Sequence, residues 1–243
     1  MISGRPEIAE LGTILGVWAH PDDEAYLSGG LMALARDQGS RVVCVTATRG
    51  ELGTADPVSW PPDRLAAERS LELARCLAII GVTEHHWLGF RDGECAMVEE
   101  DDAIARLCVL MDMVGADTVV TFGPDGFTGH PDHQAVGQWT ATAFDRVARP
   151  ESRLLQVAAG QRRTDRWNGL NERLGVFAAG YPITVPDDRL AIDLILDRDT
   201  AARKVRALAA QTTQTAGLIE MLGLPRYTEW VSEESFVQRE ATE

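Results

Sequence analysis

Lysine is almost missing from this chain: Lys204 is the only one in 243 residues, so nearly every positive charge is an arginine. Positive charge of either kind is also scarce, 23 bases standing against 37 acids for a formal net charge of -14. Such a chain repels phosphate backbones and anionic lipid headgroups, and no basic patch is gathered anywhere along it, so neither nucleic acid nor a membrane surface is expected as a partner. Long apolar runs are lacking too. No stretch of about 18 apolar residues occurs, and residues 1–12 mix both charge signs without an apolar segment, so the chain reads as cytoplasmic, with no spanning helix or leader. The four cysteines, Cys44, Cys76, Cys95 and Cys108, form no C-x-x-C pair and sit mostly among apolar neighbours. They are expected to be reduced thiols packed as small hydrophobes, which excludes a disulfide framework and a zinc knuckle.

What is present suits a globular enzyme-sized domain. With 45% hydrophobic and 25% charged residues, the chain can bury a core without covalent staples. No repeat, low-complexity tract or convincing linker divides it, so residues 1–243 are expected to form a single domain. Apolar periodicity switches repeatedly between strand-like runs and helix-like stripes, the mark of βαβ units and a largely parallel sheet. Strands are expected at Thr13 to Ala19, Arg41 to Thr48, Glu84 to Leu88 and Thr118 to Phe122. Between them, a helical stripe through Ala25, Leu27, Leu31, Leu34 and Ala35 ends near Gly39. Pro62 and Asp63 open a second helix that Gly81 closes. The acids Glu99 to Asp102 suit the dipole-favoured first turn of a third, reaching Val114, and a fourth runs from Asp132 to about Val147. Later segments carry weaker patterns: strands at Leu154 to Ala158 and Ala191 to Leu196, one long helix from Asp199 to Leu222, and a docked or frayed tail from Glu229.

The informative fact is where the unusual polar residues fall. Four successive strands each end in a polar cluster: His20-Pro21-Asp22-Asp23-Glu24, Arg49-Gly50-Glu51, Arg91-Asp92-Gly93 and Gly129-His130-Pro131-Asp132-His133. In an open parallel sheet the C-terminal strand ends share one edge, where ligands bind, so clusters distant in sequence converge in space. Two imidazoles and a carboxylate drawn from His20, Asp22, Asp23, His130 and His133 make a three-ligand set for a borderline divalent cation and leave positions for water and substrate. Neighbouring acids suit the outer carboxylates that orient metal-binding imidazoles. His85 and His86 lie inside a strand without such company, and at least one is expected to be filler.

The units Ala19-His20-Pro21-Asp22-Asp23-Glu24 and Gly129-His130-Pro131-Asp132-His133 resemble the paired signatures of the PIG-L/LmbE-like zinc-dependent N-deacetylases. That group includes N-acetylglucosaminyl-phosphatidylinositol de-N-acetylase and the mycothiol and bacillithiol pathway deacetylases. The resemblance runs from about Ile14 to Gln138 and extends to Thr48-Arg49-Gly50-Glu51, to Arg69 and Glu72 with Leu73, and to Leu88-Gly89 followed by Asp92. It implies a Rossmann-like three-layer α/β/α sandwich with the motif-bearing core at about 13–150 and a variable part at 151–243. It implies zinc, with ferrous iron as the alternative, held by His20, Asp23 and His133. Asp22 is implied as general base, His130 as a charge-stabilising or acid group, and Arg69 and Asp92 as contacts to sugar hydroxyls. The implied substrate is an N-acetylated amino sugar or glycoconjugate, and homo-oligomerisation is left open. Zinc lowers the pKa of a bound water from 15.7 to about 7, so hydroxide becomes available for attack on an amide. A helix-surface ion pair with Glu72 competes with the substrate contact as the role of Arg69.

Two places depart from the family pattern. A tyrosine that often stands two positions before the second motif's first histidine is Thr128 here. Lys204 of the late helix is kept, but Gln211-Thr212-Thr213-Gln214 replaces an Ala-His-x-Ser-Gln stretch. Two other readings use the same residues: a non-haem iron oxygenase built on the His/Asp/His set, which usually decorates an all-β jelly roll, and a metal-keeping sugar-binding protein without turnover. A dinucleotide site fails on Gly29-Gly30, an incomplete glycine fingerprint inside the first helix.

Overall fold

Where valine, isoleucine and threonine crowd together the chain is extended, and where leucine and alanine recur at helical spacing it coils. The computed structural model describes residues 8–239. The first half runs β1 (Ile14–Trp18), α1 (Asp23–Asp37), β2 (Val42–Thr46), α2 (Pro62–Ile80), β3 (Glu84–Trp87), α3 (Glu100–Val114), β4 (Thr118–Phe122) and α4 (Pro131–Val147). The second runs β5 (Arg153–Val157), β6 (Ala159–Gly160), α5 (Gln161–Leu174), β7 (Thr184–Val185), β8 (Ile192–Ile195), α6 (Arg198–Ala209), α7 (Thr212–Leu222), α8 (Leu224–Val231) and β9 (Glu233–Gln238). Seven strands form one sheet in the order β3-β2-β1-β4-β5-β9-β8, and β6 pairs with β7 apart from it. The first five are parallel, while β9 is antiparallel to both its neighbours. Every residue of β1, β2 and β4 is buried, as strands covered on both faces require. Helices α1, α2 and α6 pack together on one side and α3 with α4 on the other, giving the three-layer α/β/α sandwich. One hydrophobic cluster runs through it, with the Trp18 and Phe122 rings edge to face at 5.3 Å.

Punctuation residues work as their chemistry dictates. Pro62 opens α2, and Gly81 closes it in the left-handed region at φ 97°. No helix among the described residues is long and apolar enough to cross a membrane. All four cysteines are free, and Cys44, Cys76 and Cys95 are buried.

The later segments differ from the sequence expectation in three ways. The helix expected from Asp199 to Leu222 is two helices, because Gln211 leaves helical geometry at φ -94° and ψ 58°. Its side chain turns inward to donate to Glu24 Oε1 at 2.7 Å, while Thr213 donates to Glu72 through both its backbone N–H and its hydroxyl. Polar side chains thus outcompete the helical ladder. The expected tail is instead α8 followed by β9, an inner strand between β5 and β8. Its acids look solvent-bound in sequence but are buried with partners: Glu234 accepts from Gly30 N, Leu31 N and Lys204 Nζ, and Glu233 accepts from Arg166. Helix α5, rich in arginine, gave no clear apolar stripe and was not anticipated.

The single lysine therefore has structural work. Lys204 Nζ lies 2.6 Å from Glu234 Oε1 and donates to the Tyr26 carbonyl at 2.8 Å, with both side chains fully buried. Lys204→Ala would leave a buried carboxylate without its counter-charge, and urea unfolding is expected to show a loss of about 3–5 kcal/mol. A loss below about 1 kcal/mol would mean that the backbone N–H groups of Gly30 and Leu31 satisfy Glu234 alone.

Candidate active site

The sheet order reverses direction between β1 and β4, because the chain winds from β1 toward β3 on one side and from β4 toward β5 on the other. Outside the C-terminal ends of those two strands lies the crevice of an open α/β sheet. The loop after β1 carries His20 to Asp22, with Asp23 and Glu24 opening α1; the loop after β4 leads through Thr128 and His130 to Asp132 and His133 on the first turn of α4. The topology thus joins two segments more than a hundred residues apart in sequence.

Three donor atoms converge there. His20 Nδ1 is 3.2 Å from His133 Nε2 and 3.5 Å from Asp23 Oδ2, and His133 Nε2 is 3.4 Å from Asp23 Oδ1. Ligands about 2.1 Å from a tetrahedral ion stand about 3.4 Å from one another, so this spacing fits a cation such as zinc without rearrangement. The tautomers fit as well. His133 Nδ1 donates to the Gly126 carbonyl at 3.1 Å, and His20 Nε2 faces Asp132 Oδ2 at 3.2 Å and Asp92 Oδ1 at 3.1 Å. Each ring has an acceptor for a proton on its outward nitrogen and turns the other nitrogen inward, where a bound cation would displace the proton that His20 otherwise shares with His133. Phe122 stacks on the His133 ring at 4.2 Å and fixes its plane.

The surrounding charges treat the two rings differently. Burial pushes the His133 pKa down to about 4, His20 and His130 adding to the fall while Asp23 opposes it, so the ring is neutral. Burial also works against a charged His20, but the carboxylates of Asp132, Asp23 and Asp92 outweigh it and raise its pKa well above the ordinary value. For Asp23, burial is outweighed by His133 and His20, which hold the carboxyl well below the usual range. It is an ionised carboxylate.

Asp22 is set apart from its neighbour by the backbone. At φ 107° it adopts a conformation rare for a residue with a side chain. Its backbone N–H donates to Glu24 Oε2 at 2.9 Å and its carbonyl accepts from Ala25 and Tyr26, so α1 over-determines the strained residue. Burial pushes the Asp22 carboxyl up to about 7, Asp23 and Asp92 adding and Arg69 and His20 opposing. Burial and the Asp22 charge likewise push Glu24, which is fully buried, up to about 8.

His130 has a different station. It caps α4, its Nδ1 accepting from Asp132 N at 3.1 Å, so a neutral ring must carry its proton on Nε2. The ring is exposed, its centroid 4.9 Å from that of His20 and 5.0 Å from that of His133. Burial of part of the ring and the His20 charge lower its pKa.

Arg69 and Asp92, assigned to sugar hydroxyls by the resemblance, have protein partners. Arg69 is buried and makes no pair with Glu72; its guanidinium donates to the Gly50 and Pro21 carbonyls and lies 3.3 Å from Asp22 Oδ2. Asp92 gives one oxygen to His20 and the other to Leu52 N at 2.8 Å. Thr128, standing where a tyrosine is usual, sets its hydroxyl 3.2 Å from His133 Nδ1. His85 pairs with Thr46 at 2.9 Å in β3, outside the cluster.

Sequence reasoning noted Asp132 within its motif but gave it no role, and the structure supplies one. Fully buried, it accepts from Gly93 N at 2.7 Å and Cys95 N at 3.1 Å while facing His20 Nε2. It ties the 93–95 segment and the start of α4 to the His20 ring. Asp132→Asn should weaken divalent-ion affinity by about 10–100-fold with little change in fold, measured by competition with a chromogenic chelator. Unchanged affinity would leave Asp92 as the sole anchor of His20. Sequence reading also missed the outer wall of the pocket, a cavity of about 310 Å3 on whose floor Asp22, Asp23 and His133 lie and to which α5, α7 and α8 contribute. Its signal was confined to aromatic residues scattered among arginines.

Residues 15–144 match the family model described as PIG-L, GlcNAc-PI de-N-acetylase. A 1D-myo-inositol 2-acetamido-2-deoxy-alpha-D-glucopyranoside deacetylase of Saccharopolyspora erythraea is 33% identical over 228 residues, covering 82% of each chain. One of the same name from Kineococcus radiotolerans is 35% identical over 168 residues, covering 58% of this chain and 46% of its own. The chain thus spans about half the length of some curated relatives it matches. The N,N'-diacetylchitobiose deacetylase structure from Pyrococcus horikoshii superposes with a TM-score of 0.63 at 20% identity, covering 93% of this chain and 83% of that one. The fold, the paired histidine turns and these matches agree: the chain belongs to the PIG-L family of GlcNAc-PI de-N-acetylase.

Proposed function

We propose that this chain is a metal-dependent N-deacetylase that removes an acetyl group from an amino sugar or its conjugate, with zinc as the metal and ferrous iron as the alternative. The carrying observation is the convergence of the His20, Asp23 and His133 lone pairs beside a carboxylate, Asp22, whose pKa stands near neutrality. A divalent cation on those ligands supplies an activated water and polarises the acyl oxygen. Asp22 takes the proton from the attacking water and returns it to the leaving nitrogen, a service worth about 10²–10⁴ in rate. The His130 Nε2–H is free to donate to the oxygen on which charge develops, because Nδ1 is held by the helix cap. Arg69 holds Asp22 and the Pro21 carbonyl in place, and a shift in sugar affinity on its removal would add substrate contact to that duty. The iron oxygenase reading gains nothing from this mainly parallel α/β sheet, and the relatives, named as deacetylases, favour amide hydrolysis.

The test is release of free amine from N-acetylglucosamine conjugates, the inositol glycoside among them. Exhaustive chelation should stop the release, and one equivalent of zinc or ferrous iron should restore it. Undiminished activity without metal, or oxygen uptake with an oxo-acid in place of amine release, would overturn the proposal.

A further inference from the structure

Above Asp22 and His133 the cavity wall is mostly carbon, formed by residues such as Leu27, Phe127, Phe177 and Trp230. A substrate that is hydroxyl on every side gains little from such a wall, because each hydroxyl pressed against it would lose water without gaining a partner. Among the polar residues of the lining one carries an uncommitted positive charge. Arg163, half-buried in the first turn of α5, is among the described residues the only lysine or arginine in the lining, and its guanidinium makes no hydrogen bond or ion pair there. The acids closest in charge to it are already engaged: Glu233 by Arg166 at 2.9 Å, Glu234 by Lys204 at 2.6 Å and Asp193 by Arg162. Burial lowers the Arg163 pKa, with Glu233, Glu234 and Asp193 opposing.

A second unmet donor lies on the same helix face. Trp167, four residues along α5 and also lining the cavity, has a buried Nε1–H with no partner. A buried indole N–H without a partner and a half-buried guanidinium without a counter-charge thus stand on one wall, an arrangement that suits an acceptor from outside the chain. The ring of Trp167 also lies under the Arg166 guanidinium at 4.8 Å and near that of Arg226 at 5.6 Å.

The geometry points to a substrate that carries, besides its N-acylated amino sugar, an apolar substituent bearing a carboxylate or similar anion, which packs on the aromatic wall and pairs with Arg163. This rests on the deacetylase reading and narrows its substrate class. A bidentate guanidinium-carboxylate pair, formed where water is largely excluded, supplies both affinity and orientation.

Two matched pairs of compounds test it on the zinc-loaded full chain. One pair is the phenyl and 4-carboxyphenyl glycosides of N-acetylglucosamine; the other is glucosamine N-acylated with phenylacetate or with 4-carboxyphenylacetate. In one pair the carboxylate member should show about tenfold higher kcat/KM, the equivalent of about 1.4 kcal/mol, and that pair tells whether the substituent sits on the anomeric oxygen or on the acyl group. Arg163→Gln should bring the ratio near one and Arg163→Lys should keep part of it, with thermal melting confirming that both variants fold. Calorimetric binding to the metal-free chain should give the same ordering without turnover. Ratios near one for both pairs, or a ratio untouched by Arg163→Gln, would overturn the subsite and leave deacetylation standing. Binding of a carboxylate member that depends on Arg163, with no amine released from any compound, would keep the subsite and remove the deacetylase reading.

Discussion

Replacing either His20 or His133 with alanine is expected to empty the site of divalent metal and to cut hydrolysis by about 10³-fold or more, since the lost Lewis acid supplies several kcal/mol. Both rings turn a nitrogen to the same point, with separations of 3.2 to 3.5 Å among those nitrogens and the two Asp23 oxygens, so losing one ring leaves too few ligands to hold an ion tightly. Elemental analysis of the purified variants is the direct check. His130→Ala should behave differently, keeping the ion while losing rate, because its Nδ1 belongs to the α4 cap and its ring stands outside the close triangle. If His130→Ala loses the metal and His133→Ala retains it, the inner and outer shells have been interchanged.

Asp22→Asn is expected to lower kcat by about 10²–10⁴ while metal content and thermal stability stay near the parent's. The isosteric amide cannot accept the proton, yet asparagine tolerates positive φ as well as aspartate does, so the strained backbone at φ 107° survives the exchange. The variant thereby separates chemistry from folding, which alanine at this position would not. An interaction used only in the transition state lowers kcat and kcat/KM together; a rise in KM at constant kcat would instead make Asp22 a substrate-binding group. Parent-like turnover would move the general base elsewhere, with Glu24, buried behind Asp22 and bonded to its backbone, the first residue to test.

The first half of the fold was legible because its signals were local. Valine-rich runs bounded by glycine and proline mark β1, β2 and β4, and the parallel-sheet rule carries their trailing polar clusters to one edge. The meeting of the two H-P-D turns follows from the same logic, while the choice of His20, Asp23 and His133 among their residues rests on the family resemblance. The second half hid its order in long-range partners. Glu233 and Glu234 look like solvent residues until Arg166 and Lys204 are seen beside them. Gln211 has good helical company on both sides, and only the Glu24 carboxylate explains why the helix breaks there. Arg69 and Glu72 have the spacing of an ion pair, yet they face different partners, one the Asp22 turn and the other Thr213. Sequence spacing says who can touch; burial decides who does.

The strand β9 has a consequence for any shortened form of the chain. It reaches β5 through the pairing of Leu155 with Gln238 and holds β8 on its other side. A product stopping before Glu233 would keep every metal-facing residue, yet would bare the backbone of two strands at once. Exposed ribbon edges recruit matching ribbons from other molecules, so such a fragment should precipitate or exchange segments with its copies rather than work slowly as a monomer.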